Sequence, residues 1–297
     1  MQRVSLNWLT VCSVIACAAC AVEPGESSTG AASTIPIPYK IAANKIAANK
    51  IAANKIAANR IALGRLALNV GAAGDLVATA DGREVLTFLV SCALPIEERL
   101  VTTFDGVDYE FFGELGLAPG WIHRPLNQVD RGWVSACMFS RVNAHDVAVP
   151  ISLRGPTPAL AVTREERATF SVEEGAFYGQ LFTPEPQPIQ WIACRGRGLA
   201  GGAFGGLSER DCAKPDPDHP GRTLCGFVFA GDCGDYARDR ACESYSVRGQ
   251  FYRRCHAAPL GRGHHGDDDR HDDDDRDDDD DGRDGAFHQV ITTFVTP

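Results

Sequence analysis

Six cysteines, Cys194, Cys212, Cys225, Cys233, Cys242 and Cys255, fall in a stretch where glycine, proline and charge are dense and long apolar runs are few. Such a segment buries little surface, so covalent crosslinks have to limit the unfolded chain where packing does not suffice. With Cys92 and Cys137 upstream the set is eight, an even number that reads as disulfides. Zinc is the rival. The spacings Cys225-x7-Cys233 and Cys233-x8-Cys242 lack the close Cys-x2-Cys pairs of zinc knuckles, and disulfides are therefore the expectation.

Disulfides persist in oxidising compartments, so the start of the chain matters next. Gln2 and Arg3 open it, an apolar stretch interrupted by Ser5, Asn7, Thr10 and Ser13 follows, and small residues with cysteine close it. That pattern predicts a secretory signal over residues 1–19, too short and too interrupted for a permanent span. Val14-Ile15-Ala16-Cys17 resembles the lipobox of bacterial lipoproteins, which makes Cys17 the first candidate for lipidation and Cys20 the second. Plain cleavage after Ala21 is the alternative. Ala follows either cysteine, whereas Asp there usually retains a lipoprotein in the inner membrane. The expected address is the outer membrane, or else the periplasm or cell surface.

Residues 20–40, rich in Glu, Ser, Thr, Gly and Pro, read as a flexible tether. Residues 41–70 form an arm of five-residue repeats, IAANK three times and then IAANR, decaying into IALGR and LALNV. Five residues advance about 140° around a helix, so Ile41, Ile46, Ile51 and Ile56 make no apolar stripe there. Read as Asn-Lys-Ile-Ala-Ala, the units loosely resemble pentapeptide repeats of a four-sided β-solenoid. Six units would make only about one and a half coils, so a helix or semi-ordered spacer is preferred.

Residues 71–297 read as one disulfide-rich globular domain. Its class is α+β with sheet predominating. Leu76–Ala80 and Arg83–Val90 flank Asp81-Gly82 and suggest a hairpin; Leu100–Phe104 and Val107–Phe111 flank Asp105-Gly106 and suggest another. Val129, Trp133 and Cys137, four apart, place a helix over Asn127–Val142, and a strand follows at Val147–Leu153. Thr163-x-x-Glu166 fits a helix capping box, while Phe170–Glu173 and Ala176–Phe182 suit strands. Pro184, Pro186 and Pro188 end that stretch as a stiff extended turn. The β-branched and aromatic run Phe287–Val295 reads as a strand with a buried partner.

The net charge of −10 is local. Residues 261–285 hold thirteen Asp against four Arg, a −9 that leaves only −1 for the rest. No global field points to nucleic acid. Because a strand follows it, the acidic run is an insertion within the domain; closing such a loop costs only about 3 kcal/mol. Within it Asp277-x-Asp279-x-Asp281-Gly282 matches the opening of an EF-hand loop, but position twelve is His288 where Glu is required. A disordered, solvated loop with weak divalent-cation condensation is the reading, with Asp277, Asp279 and Asp281 as weak metal candidates and no cofactor expected. Lys40, Lys45, Lys50, Lys55, Arg60 and Arg65 carry +6 opposite this −9, so the arm either pairs with the insertion or lies against anionic lipid.

No catalytic motif is present: no Gly-x-Ser-x-Gly, no His-Glu-x-x-His and no phosphate loop. Gly196–Gly206 is glycine-rich but lacks a Lys-Ser/Thr ending. His123, His145, His219 and His256 are isolated, and His145, Asp146 and Ser152 form a hydrolytic triad only on paper. Trp121, Trp133 and Trp191 read as core rather than as a sugar-stacking platform.

Several stretches resemble a family of uncharacterised, cysteine-rich exported proteins from predatory Gram-negative soil bacteria. They are Glu84–Pro95 (EVLTFLVSCALP), Gly116–Trp121 (GLAPGW), Trp133–Cys137 (WVSAC), Val149–Gly155 (VPISLRG), Ala176–Gly179 (AFYG) and Cys225–Phe227 (CGF), within about residues 65–260. The resemblance carries no known activity, so no site residue transfers. By position Cys92 pairs with Cys137, and the other six cysteines allow fifteen arrangements. The expected product is an exported, lipid-anchored envelope protein with a binding or structural role, its partners the membrane and an extracytoplasmic protein or glycan. An extracytoplasmic hydrolase with an unrecognised site is the alternative.

Overall fold

The computed structural model describes residues 45–48, 53–143, 149–183, 186–200, 212–234, 240–258 and 285–297. The expected signal and tether, Cys17, Cys20, His145, Asp146 and the acidic run with Asp277, Asp279 and Asp281 lie outside the described residues. The chain is an α+β domain with strands predominating, crosslinked by four disulfides. Among the described residues no helix is long and apolar enough to cross a membrane.

The repeats divide between two conformations. Strand β1 (Lys45–Ala48) precedes helices α1 (Ala53–Ala58) and α2 (Arg60–Leu68). Ile56, Leu63 and Leu66 are fully buried in the main core, so from α1 onward the arm is part of the globular body and not a spacer. Two of its basic residues are engaged there too: Lys55 Nζ lies 2.6 Å from Glu84 and 3.4 Å from Asp81, and Arg65 lies 3.2 Å from Asp75. These three acids lie outside the poly-Asp insertion.

A short α3 (Gly74–Val77) leads into α4 (Ala80–Ala93), where the sequence had suggested a hairpin. Thr79 Oγ1 accepts the Gly82 amide at 2.9 Å, so Asp81-Gly82 lies in the first turn of a capped helix. Behind it Val85, Leu86, Leu89, Val90 and Ala93 recur at helical spacing and are fully buried. A side chain at position 82 would collide with the Leu76 carbonyl oxygen, which explains a glycine inside this helix. The second hairpin forms as expected, β2 (Arg99–Phe104) with β3 (Val107–Phe112). Asp105 and Gly106 both have positive φ, 52° and 77°, as a type I′ turn requires.

Helix α5 (Gln128–Ser140) also forms as read, started by a reciprocal capping box between Asn127 and Asp130. Then come β4 (Val149–Arg154), α6 (Arg164–Thr169) capped by Thr163, β5 (Val172–Gln180), β6 (Gln190–Arg195), α7 (Arg197–Ala200) and β7 (Val228–Asp232). Strands β8 (Cys242–Ser246), β9 (Phe251–His256), β10 (Ala286–Phe287) and β11 (Ile291–Val295) complete the chain. The large sheet has the order β1-β4-β11-β5-β6-β7, antiparallel except for β6 with β7. The last strand thus sits between β4 and β5, every residue buried, which meets the demand for a buried partner.

Strand β5 is buried on both faces. Phe177 belongs to the core shared with α4 and α5, while Ala176 and Tyr178 belong to a second core with β8 and β9. Helices therefore cover one face and the small β10-β9-β8 sheet the other. The disulfides follow this division. Cys92–Cys137, the pair expected by position, joins α4 to α5, and Cys212–Cys225 closes a loop on the same core. Cys194–Cys233 and Cys242–Cys255 lie together in the second core.

Candidate functional site

A cleft of about 460 Å³ opens at the start of β6. Pro188, Ile189, Trp191 and Val228 supply apolar surface, Phe287 adds a second ring, and Arg60 and Arg222 are the charged residues lining it. Its volume lies in the range of small-ligand sites, and so does its chemistry, a mostly apolar wall with a few polar groups.

Both rings are held from behind. Trp191 meets Phe139 and Phe227 edge-on, with centroids 6.5 and 6.1 Å apart. Phe227 in turn packs on Phe177 at 5.4 Å. On the other side Phe287 leans on Tyr178 at 5.5 Å, and the Tyr178 hydroxyl donates to the His256 carbonyl oxygen at 2.7 Å. Burial of that phenol pushes its pKa far up, so it stays a neutral strut. Fixed aromatic faces of this kind bind flat or aliphatic groups with little loss of side-chain freedom.

The two guanidinium groups have no acidic partner among the described residues. Arg60 Nη2 donates to the Gln187 carbonyl oxygen, and Arg222 Nη1 to the Gly226 carbonyl oxygen at 3.3 Å. Each retains donors suited to a carboxylate, sulfonate or phosphate. Arg60 is where the fourth repeat ends in Arg instead of Lys, the one signal in the sequence that set this unit apart. Arg222 carried no signal, because it reaches the cleft through an irregular loop.

The tryptophans separate in the structure. Trp121 is buried in the main core and Trp133 is packed against it, but half-buried Trp191 lines the cleft. Ser152, the paper nucleophile, is fully buried and its Oγ accepts from Arg154 Nε at 3.1 Å. His219 is exposed beside Asp216, and His256 Nε2 lies 2.8 Å from Glu243. Among the described residues none of the three is hydrogen-bonded to another. Gly201–Gly206 of the glycine-rich stretch lies outside the described residues.

A second polar concentration is internal. Arg154 contacts Gln250 and the Phe170 carbonyl oxygen and stacks 3.6 Å over the Phe294 ring. Burial lowers its pKa to about 10, against the opposing pull of Glu166. Glu173 accepts from the Tyr252 hydroxyl at 2.6 Å and from the Arg197 amide at 2.9 Å. Tyr245 is pushed up first by burial and then by Glu173. None of these residues lines the cleft. They satisfy one another across the two sheets, which is what buried polar groups require.

No protein-family model, curated protein or solved structure matches this chain.

Proposed function

We propose that this is an exported envelope protein, lipid-anchored through Cys17 or Cys20, whose globular body binds a compact amphipathic anion. The ligand's apolar part would lie against Trp191 and Phe287 and its acidic group between Arg60 and Arg222. The single observation that carries this reading is two arginines without acidic partners among the described residues, in a cleft otherwise walled by braced aromatic and aliphatic side chains. Four disulfides fit maturation outside the cytoplasm. Intact-mass analysis of membrane-fraction protein tests acylation directly.

The binding test uses decanoate and its uncharged analogue decanol, followed by Trp fluorescence and calorimetry. Each charge-assisted hydrogen bond to the carboxylate contributes about 1.5–3 kcal/mol. Decanoate should therefore bind at least about tenfold more tightly than decanol, and R60A/R222A should abolish that difference. Equal binding of the two probes by the wild type, or an unchanged preference in the double variant, rejects the arginine cleft as the site.

A further inference from the structure

We propose that Cys194, Cys233, Cys242 and Cys255 form a closed tetrathiolate zinc site when their two disulfides are reduced. The four come from different strands or strand ends: Cys194 in β6, Cys233 just after β7, Cys242 at the start of β8 and Cys255 in β9. All four are buried. The Sγ atoms of Cys194 and Cys242, which belong to different bridges, lie 3.7 Å apart. Those of Cys194, Cys233 and Cys242 all fall within 4.8 Å of one another, the only such grouping of metal-ligating atoms among the described residues; Cys255 stands outside that grouping and is brought to it by its bridge to Cys242. A tetrahedral zinc with thiolate bonds of about 2.3 Å has its sulfurs about 3.8 Å apart, so the edge between the bridges already has the right length.

Spacing along the chain hides this site. The sequence separations within the bridges are 39 and 13, neither of them a knuckle spacing. The register of the sheets makes it instead. Cys242 pairs with Cys255 across β8 and β9, while the Cys242 amide donates to the Cys233 carbonyl oxygen at 3.1 Å. The Cys233 amide in turn donates to the Arg195 carbonyl oxygen at 2.9 Å, which fixes the second bridge beside the first. Backbone pairing therefore holds the four Cα positions together whether or not the sulfurs are bonded.

The electron balance is simple. Each disulfide accepts two electrons and two protons from a dithiol reductant, which becomes a cyclic disulfide, and two thiols result. Zinc then displaces the four thiol protons and binds four thiolates. In the reverse direction two molecules of a disulfide oxidant take up four electrons and four protons, leave as four thiols, and restore the two bridges as zinc departs. One set of residues thus crosslinks β6 to the end of β7 and β8 to β9 in an oxidising compartment, and chelates a soft divalent cation in a reducing one.

Cobalt(II) is the probe, because tetrahedral thiolate coordination gives it intense d–d bands and sulfur-to-metal charge transfer. The full chain, reduced with dithiothreitol that is then removed anaerobically, should bind one cobalt with that spectrum, and zinc should displace it. Oxidised chain should bind none in this mode. C92A/C137A, which leaves the cluster untouched, should keep the full signal; C194S/C242S should lose it. Absence of the tetrahedral spectrum in both reduced wild type and reduced C92A/C137A overturns the proposal, as does its survival in C194S/C242S.

Discussion

Lys55 Nζ lies 2.6 Å from Glu84 Oε2, a contact that ties the third repeat unit to helix α4. The hydrogen bond that Lys55 donates to Glu84 is the main cause of a Lys55 pKa above its ordinary 10.5, with Asp81 adding to it. A raised folded value means the pair stabilises fully below the unfolded pKa and loses its contribution as pH rises through the folded one. Partly exposed pairs contribute about 0.2–1 kcal/mol. K55M should therefore be less stable than wild type by that amount at pH 9, and the difference should shrink as pH rises beyond 10.5, as read by urea unfolding.

Position 82 gives a sign test for α4. Ala in place of Gly ordinarily stabilises a helix interior by about 1 kcal/mol. Here the added carbon collides with the Leu76 carbonyl oxygen, so G82A should destabilise by about 1–3 kcal/mol. T79A removes the cap and should destabilise by about 1 kcal/mol. Thermal unfolding of both variants checks this pair of signs.

The two hairpin dipeptides show what local sequence conveys and what it omits. Asp105-Gly106 has strand formers on both sides that alternate wet and buried, and it makes the turn. Asp81-Gly82 has the same two letters, but Thr79 stands two residues before Asp81 and the apolar residues after it recur every three or four. That period outranked the dipeptide. Helix α5 was legible for the same reason, with Asn127 and Asp130 marking its start. The cleft was not legible, because Arg60, Trp191, Arg222 and Phe287 converge only through sheet order and through β6 pairing in parallel with β7.

Removing crosslinks should rank by the loop each closes. On the chain-entropy scale a separation of 45, for Cys92–Cys137, corresponds to about 4 kcal/mol and one of 13, for Cys242–Cys255, to about 3 kcal/mol. C92A/C137A should accordingly unfold at lower denaturant than C242A/C255A, measured on oxidised protein.

Arg154 is fully buried and holds β4 to the Phe170 carbonyl oxygen, Gln250 and the Phe294 ring at once. Truncating one partner of a buried charged network leaves the others unpaired, at about 3–5 kcal/mol. R154A should lose that much stability in denaturant unfolding, and R154K should recover only part of it, because an ammonium cannot serve three directions in a plane.

The tetrapeptide Lys-Ile-Ala-Ala is a strand at residues 45–48 and a helix at residues 55–58, so nothing in its own chemistry chooses between the two. The same four letters also begin at Lys40 and Lys50. Any copy would offer Val149–Arg154 the same edge, and gaining or dropping a whole unit upstream restores the same hydrogen-bonding partners. The length of chain that precedes the sheet is thereby adjustable in steps of five residues, a gene-level slack that leaves the pairing with β4 unaltered.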